Sequence, residues 1–372
     1  MQNTEVQTTV HRATESSLKI QHNSSPAPKP LPSSKDLEFG KHFTDHWFHC
    51  KYSDGRGWHS ATIEKYGTLA LDPAASVLHY GQALFEGMKA FLQPDDSISL
   101  FRPEFNFRRM QVGAARLCLE APPQDLFMAG LRELITTDAR WVLPDEGCSL
   151  YIRPTLIGTE AFLGVRPAKE ILFYILLSPV RSYYSVKERP LRIWVETEDL
   201  RAAPGGLGAV KAGGNYASSL RAAQLAKKAG YDQVLWLDVE RQGIEEVGTM
   251  NVFFGFKDEV VTPELNGSIL PGGMRESILH LLRHSGKKVS ERHITIEEVI
   301  EEHKAGNLTE AFGTGTAAVV APIIELGYES ETLIIGNGKT GALSQWLSKS
   351  IKGIQSGHLP DPFGWMTPLK NL

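Results

Sequence analysis

Cysteine is scarce. The 372-residue chain has three, Cys50, Cys118 and Cys148, widely spaced, with no CxxC and no cysteine–histidine cluster. That excludes a disulfide-stapled scaffold and a structural zinc site, leaves no metal site to expect, and reads as reduced thiols in an intracellular protein. Long hydrophobic runs are missing as well: the longest apolar stretch, Ile171 to Leu177, is far short of the roughly 20 residues that span a bilayer. Positive charge is not in excess either. Lys+Arg 39 against Asp+Glu 43 gives a net charge of −4 with no basic stripe, so neither nucleic acid nor an anionic membrane is an expected partner. No internal repeat is present. What remains is ordinary globular usage, 42% hydrophobic and 22% charged, in a chain too long for one typical core, which predicts two domains.

Residues 1–35 hold paired serines and the prolines 26, 28, 30 and 32 without apolar periodicity, and are expected to be mostly disordered. Their weakly basic balance makes a cytoplasmic location the expectation and leaves mitochondrial import open. A small α+β domain is expected over residues 36–178. In it Pro103 opens a helix carrying Phe107, Met110, Ala114 and Leu117 at helical spacing, and a second helix carries Phe127, Leu131, Leu134 and Ile135. Strands are predicted at Leu150–Arg153 and Ile171–Leu177, and residues 179–190, in the polar stretch from Ser178 to Pro190, read as an interdomain connection. The larger domain, 191–372, begins with the alternating strand Leu191–Glu196. A glycine-rich stretch, Gly205 to Gly214, leads into a predicted helix Ala217–Ala229 closed by Gly230, followed by strands Gln233–Leu237 and Val252–Phe256. A helix follows Pro271-Gly272-Gly273-Met274, with Ile278, Leu281 and Leu282 inward and Gly286 at its end. Thr295-Ile296-Glu297-Glu298 has capping-box spacing, and a last strand runs into Phe312-Gly313-Thr314-Gly315-Thr316. The whole is α+β or mixed α/β.

A lone lysine ordinarily points to water, but Lys211 sits among small residues that let the backbone and a flat ligand approach, just ahead of a helix. An amine held there can condense with a carbonyl. The glycine turn at Gly272–Met274 opens a helix whose free N–H groups and dipole suit a phosphate, and Gly313–Thr316 offers the same with hydroxyls added. Glu246 precedes a strand, where a carboxylate is ordinarily solvated; beside a pyridine cofactor, were one present, it would keep the ring nitrogen protonated, and Arg109, in isolation an ordinary exposed arginine, could clamp a phosphate. Each signal is weak alone. They gain weight by occurring together and in order.

That set, with Phe43-Thr44-Asp45-His46, the block Leu78 to Ala90, Leu100-Phe101-Arg102-Pro103, Tyr151-Ile152-Arg153-Pro154, Ile157-Gly158-Thr159-Glu160, Lys211 to Tyr216, Gln233 to Leu237 and Glu246 to Asn251, resembles the branched-chain amino acid aminotransferases. These are two-domain pyridoxal-phosphate enzymes of fold type IV, and the likeness runs from about Phe39 to near Leu369. It implies transfer of the amino group of L-leucine, L-isoleucine or L-valine to 2-oxoglutarate by a homodimer with pyridoxal 5'-phosphate as cofactor. By position, Lys211 would be the Schiff-base lysine and proton carrier, with Glu246 at the pyridine nitrogen and Tyr216 at the phenolic oxygen. Arg109, Thr249, the Gly273–Met274 amides and Thr316 would hold the phosphate. Tyr80 and the Thr316–Ala317 amides would take the substrate carboxylate, and Phe43, Phe85, Tyr151, Val165 and Tyr183 would line an apolar pocket, with the region of Val165 supplied by the other subunit. Arg153 would partner the γ-carboxylate of glutamate.

Three positions depart from the family pattern. Ala318-Val319-Val320-Ala321 stands where some relatives carry a redox CxxC, so no thiol switch is expected there; Ser218 replaces a common proline, and Met274 a smaller aliphatic residue. Two other readings stay open: a fold-type IV relative with a shifted substrate, such as a D-amino acid transaminase, and a catalytically silent phosphate-ligand binder. The joint presence of Lys211, Glu246 and Tyr216 argues against the silent binder.

Overall fold

The computed structural model describes residues 18–23, 27–181 and 189–372. Its strands form two sheets, one from each half of the chain except for a C-terminal strand that returns to the first. The first sheet runs, in spatial order, Gln21–His22, Gly57–Lys65, His46–Ser53, Glu170–Arg181, Cys148–Gly158, Met88–Leu92, Ile98–Phe101 and Met366–Pro368. The short strand Ala83–Phe85 is set against Cys148–Gly158. Two helices, Pro103–Arg116 and Gln124–Thr137, bury their apolar stripes against this sheet. Phe127 stacks on Phe173 at 5.7 Å, and Gly130 brings its helix against the Phe48 ring, where a Cβ would lie 2.9 Å away.

The second sheet runs Ile244–Val247, Gln233–Leu237, Leu191–Glu196, Val319–Tyr328, Leu308–Gly315, Met250–Phe256, Val260–Pro263 and Val289–Arg292. Ile244–Val247 also pairs with Met250–Phe256, so six strands close on themselves as a barrel. Closure removes the edges that an open sheet would expose. A core including Val195, Leu235, Val247, Val252, Phe254 and Leu326 belongs to this sheet. Phe253 and Phe312 pack instead with the helices Gly273–His284 and Ala342–Gln355.

Several local expectations are met. Gly230 takes φ +90°, and the Tyr231 N–H donates to the Ala226 carbonyl, the long bond of a Schellman ending. Thr295 accepts the Glu298 N–H at 3.1 Å, as a capping residue should. Others are corrected. The expected helix Ala217–Ala229 is two helices, Gly213–Ser218 and Leu220–Lys228; the hydroxyls of Ser218 and Ser219 bond the carbonyls of Asn215 and Tyr216 at the break. The strand predicted to end at Leu177 continues to Arg181. The neighbouring strand His46–Ser53 pairs no further than Ile175, so Pro179 interrupts no ladder on that side. Part of the supposedly disordered first 35 residues is ordered by polar contacts. Gln21–His22 pairs with Thr62–Ile63, and the Lys29 ammonium donates to the Thr44 carbonyl at 2.7 Å. Residues 1–17, 24–26 and 182–188, which take in Tyr183 and the middle of the proposed connection, lie outside the described residues.

Among the described residues no helix is long and apolar enough to cross a membrane, and no group of His, Cys, Asp and Glu is placed to hold a metal ion. The three cysteines are unpaired, Cys50 buried and Cys118 exposed.

Candidate active site

A cavity of about 500 Å³ opens where the two halves of the chain meet, within the size range of small-molecule and cofactor sites. Lys211 enters it from the glycine-rich stretch. Asn215 ties that stretch down by donating to the carbonyls of Leu207 and Val210 at 2.7 and 2.9 Å. The chain also needs glycine at 208, where a Cβ would strike the Ser268 carbonyl. The Phe85 N–H donates to the Lys211 carbonyl at 3.2 Å and Leu84 bridges Ala212, so the first sheet helps fix the lysine.

The Lys211 ammonium donates to the Tyr216 hydroxyl at 2.6 Å and lies 4.8 Å from the centre of the Phe85 ring. Burial, reinforced by the neighbouring cations Arg109 and Arg153, brings its pKa down to about 7. A substantial share of this amine is therefore unprotonated at neutral pH. Tyr216 is pushed up, first by burial and then by Glu246, and keeps its proton.

Glu246 lies on the strand that closes the barrel and is buried. Its Oε1 accepts the Leu270 N–H at 2.7 Å, and its Oε2 lies 3.5 Å from Arg201 Nε. Burial raises its pKa against the opposing pull of Arg201 and that backbone bond. Arg109 projects from the helix Pro103–Arg116, held by Glu86 through Nε and Nη2, both at 2.7 Å, and by the Pro271 carbonyl at 2.8 Å. Across from it the helix Gly273–His284 begins. A Cβ on Gly272 would collide with Asn251 Oδ1, so glycine is what allows this close turn at the cavity edge.

All eight residues expected at the cofactor (Arg109, Lys211, Tyr216, Glu246, Thr249, Gly273, Met274 and Thr316) line this one cavity. Of those expected at the substrate, Phe85, Tyr151, Arg153, Thr316 and Ala317 line it too. Arg153 Nη2 donates to the Tyr151 hydroxyl at 2.8 Å, and the guanidinium lies over the Phe85 ring. Three do not reach the cavity of their own chain. Phe43 stacks on Tyr66 at 4.9 Å. Tyr80 is exposed and donates its hydroxyl to the Leu163 carbonyl, and Val165 is 84% exposed.

Sequence reasoning missed Glu86, Arg201 and Phe39. Phe39 lines the cavity, whereas Glu86 and Arg201 act through Arg109 and Glu246. Glu86 lies inside the motif that supplied Phe85, but only the fold reveals its pairing with Arg109.

The donor set suits a flat, phosphorylated aromatic aldehyde. It combines a poised amine, a buried carboxylate, a phenol, a clamped guanidinium and a glycine-lined helix N-terminus around one space. Residues 83–326 match the amino-transferase class IV family. The chain is 49% identical over 360 residues to branched-chain-amino-acid aminotransferase 2 of Bacillus subtilis, covering 96% of this chain and 99% of that protein. It is 44% identical to the branched-chain-amino-acid aminotransferase of Mycolicibacterium smegmatis, covering 89% and 92%. In fold it resembles the solved Escherichia coli branched-chain amino acid aminotransferase, with a TM-score of 0.69 at 23% identity over 87% of this chain and 99% of that one. The Thermobaculum terrenum enzyme, solved in its PLP-form, gives 0.71 at 21% identity over 88% and 99%. The chain belongs to the class IV aminotransferases, in their branched-chain-amino-acid aminotransferase family.

Proposed function

We propose that the chain transfers the amino group of L-leucine, L-isoleucine or L-valine to 2-oxoglutarate, giving the branched 2-oxo acid and L-glutamate, with pyridoxal 5'-phosphate as cofactor. The observation that carries this reading is the Lys211 amine, 2.6 Å from Tyr216, in one cavity with Glu246 and Arg109. The relatives' names support the choice of branched-chain substrates.

In this reading Lys211 Nζ would hold the cofactor covalently. Arg109, Thr249, Thr316 and the Gly273–Met274 amides would hold its phosphate, Tyr216 its phenolic oxygen and Glu246 its ring nitrogen. When bound, the cofactor supplies an electron-withdrawing ring that stabilises negative charge at the substrate α-carbon. Lys211 Nζ, with its pKa near 7, would be the base that takes the substrate α-proton and delivers it to the cofactor carbon that bore the aldehyde oxygen. Glu246, as a buried anion, favours a proton on the ring nitrogen facing it, while Tyr216 donates to the oxygen beside the lysine. The Thr316–Ala317 amides receive the substrate carboxylate. Phe85 and Tyr151 present apolar surface to the side chain, and Arg153 provides the fork for a second carboxylate when glutamate or 2-oxoglutarate binds.

Borohydride reduction of the purified holoenzyme should leave cofactor mass on the peptide containing Lys211, read by mass spectrometry; an unmodified peptide there would remove this reading. Glutamate formation should be fastest from L-Leu, L-Ile and L-Val in a panel with D-Ala and aromatic amino acids, and preference for D-Ala would replace it with the D-amino acid alternative.

A homodimer completes the proposal. Leu78, Tyr80, Phe162, Leu163 and Val165 all lie exposed, Val165 most of all, and Tyr80 touches Leu163. That suits a face covered by a second copy, whose Tyr80 and Val165 would then complete the neighbouring pocket. Val165→Asp is expected to shift the sedimentation of the holoenzyme towards monomer and to raise KM for leucine; an unchanged dimer with unchanged KM would count against this face.

A further inference from the structure

A second cavity, of about 890 Å³, borders the same turn as the first: Thr316, Ala317 and Ala318 line the first cavity and Val319 the second. It is distinct in chemistry. Lys89, Arg181, Lys349 and Lys352 all line it, and none of the four has a carboxylate partner among the described residues. Two carboxylates, Asp145 and Glu146, are also in the lining, but both are exposed, and Asp145 already accepts a hydrogen bond from Ser34 at 3.0 Å.

Lys89 is the informative member. It is 6% exposed on the buried strand Met88–Leu92, and its ammonium makes one hydrogen bond, to the Ala317 carbonyl at 3.2 Å. An ammonium has three N–H donors, so most of its hydrogen-bonding capacity is unspent. A buried cation without a counterion is costly, and the charge that bears most on this one is another cation, Lys352. Burial and Lys352 together bring its pKa down to about 8. Arg181 repeats the pattern, with a buried Nε that has no hydrogen-bond partner. Lys349 and Lys352, three residues apart on the helix Ala342–Gln355, present their charges on the same side. Unpaired cations converging from a strand end, a buried strand and a helix, with spare donors around an open space, form a receptor for negative charge.

We infer that this second cavity binds a small polyanion, one bearing two or more carboxylate or phosphoryl groups, through Lys89, Arg181, Lys349 and Lys352. The inference does not depend on which amino acids the chain transaminates. It also involves no residue assigned to the first cavity beyond the shared turn.

Isothermal titration of the holoenzyme, at constant ionic strength, with citrate and separately with inorganic pyrophosphate tests it. Keeping the cofactor in place removes the first cavity's phosphate cradle from the measurement. Saturable heat at one site per chain with either probe is expected, and the two probes together tell a carboxylate preference from a phosphoryl one. In Lys349→Glu/Lys352→Glu, whose altered side chains lie at the exposed and half-buried wall and spare the core, binding should weaken roughly tenfold or more, the worth of at least one charge-assisted contact. Lys89→Met should weaken it as well. Absence of saturable heat with both probes would overturn the inference, and so would full-strength binding by the double variant, which would place the anion in the first cavity instead.

Discussion

Lys211→Ala is expected to remain folded and to show no measurable amino-group transfer from L-leucine to 2-oxoglutarate. A positioned proton carrier contributes on the order of 10²–10⁴ in rate, and this residue would also hold the cofactor, so its removal takes more than that factor. Assay of glutamate formation, with circular dichroism to confirm the fold, checks both halves of the expectation. Full activity in the variant would refute the assigned role. The same lysine predicts a stability effect of definite sign in the cofactor-free chain. Its pKa is about 7 in the fold against 10.5 as the ordinary value, so between those limits the unfolded chain binds more protons than the native one. Native stability therefore rises with pH across this window. The burden of burying the ammonium is fully present below about 7 and is gone above about 10.5. Lys211→Met should accordingly unfold at higher urea concentration than the parent chain at pH 7, by a few kcal/mol at most, and the advantage should fade as the pH approaches 10.5. An advantage constant with pH would assign the gain to packing rather than to charge.

The parts of this site that could be read from sequence are those in which local chemistry announces itself. Gly272–Gly273 before a helical pattern, and the small residues on both sides of Lys211, each mark a place where backbone or ligand comes close, and the fold brings both to one cavity. The capping and ending signals at Thr295 and Gly230 are local in the same sense, since every atom involved lies within a few residues.

What could not be read depends on distant partners. Barrel closure rests on the four-residue strand Ile244–Val247 pairing on both sides, a question of register between segments that periodicity within each does not decide. The same strand carries Glu246, whose place at the site came from family likeness and not from any local pattern. Helix periodicity likewise continued through Ser218 and Ser219 because hydroxyl competition for carbonyls leaves no trace in an apolar pattern. Tyr80 and Val165 lie outside the cavity of their own chain; in the homodimer proposed above they would serve the neighbouring copy, which family likeness implied for Val165 and no local pattern marks.

Glu86 is the clearest case of a distant partner, and its removal carries the other large expected effect. It is fully buried, and its two oxygens accept from Arg109 Nε and Nη2 at 2.7 Å, with Asn106 adding a third bond at 2.7 Å. Burial alone would lower the Arg109 pKa, but Glu86 outweighs it and the guanidinium is held above its ordinary range. A guanidinium has five N–H donors. Glu86 and the Pro271 carbonyl take three, aiming the remaining two along a fixed direction at the cavity edge. Glu86→Ala strips the carboxylate from a buried cation and should destabilise the chain by about 3–5 kcal/mol in urea unfolding. The double variant Glu86→Leu/Arg109→Met removes both charges at nearly constant volume and should recover most of that loss, since what the single change leaves behind is the unpaired charge. Recovery of stability without recovery of pyridoxal phosphate binding, followed by the cofactor's absorbance, is the expected pairing of results. It would separate the structural work of the ion pair from the work of Arg109 on the phosphate. A single variant as stable as the parent would mean that Arg109 finds another partner, and the fixed orientation argued here would fall with it.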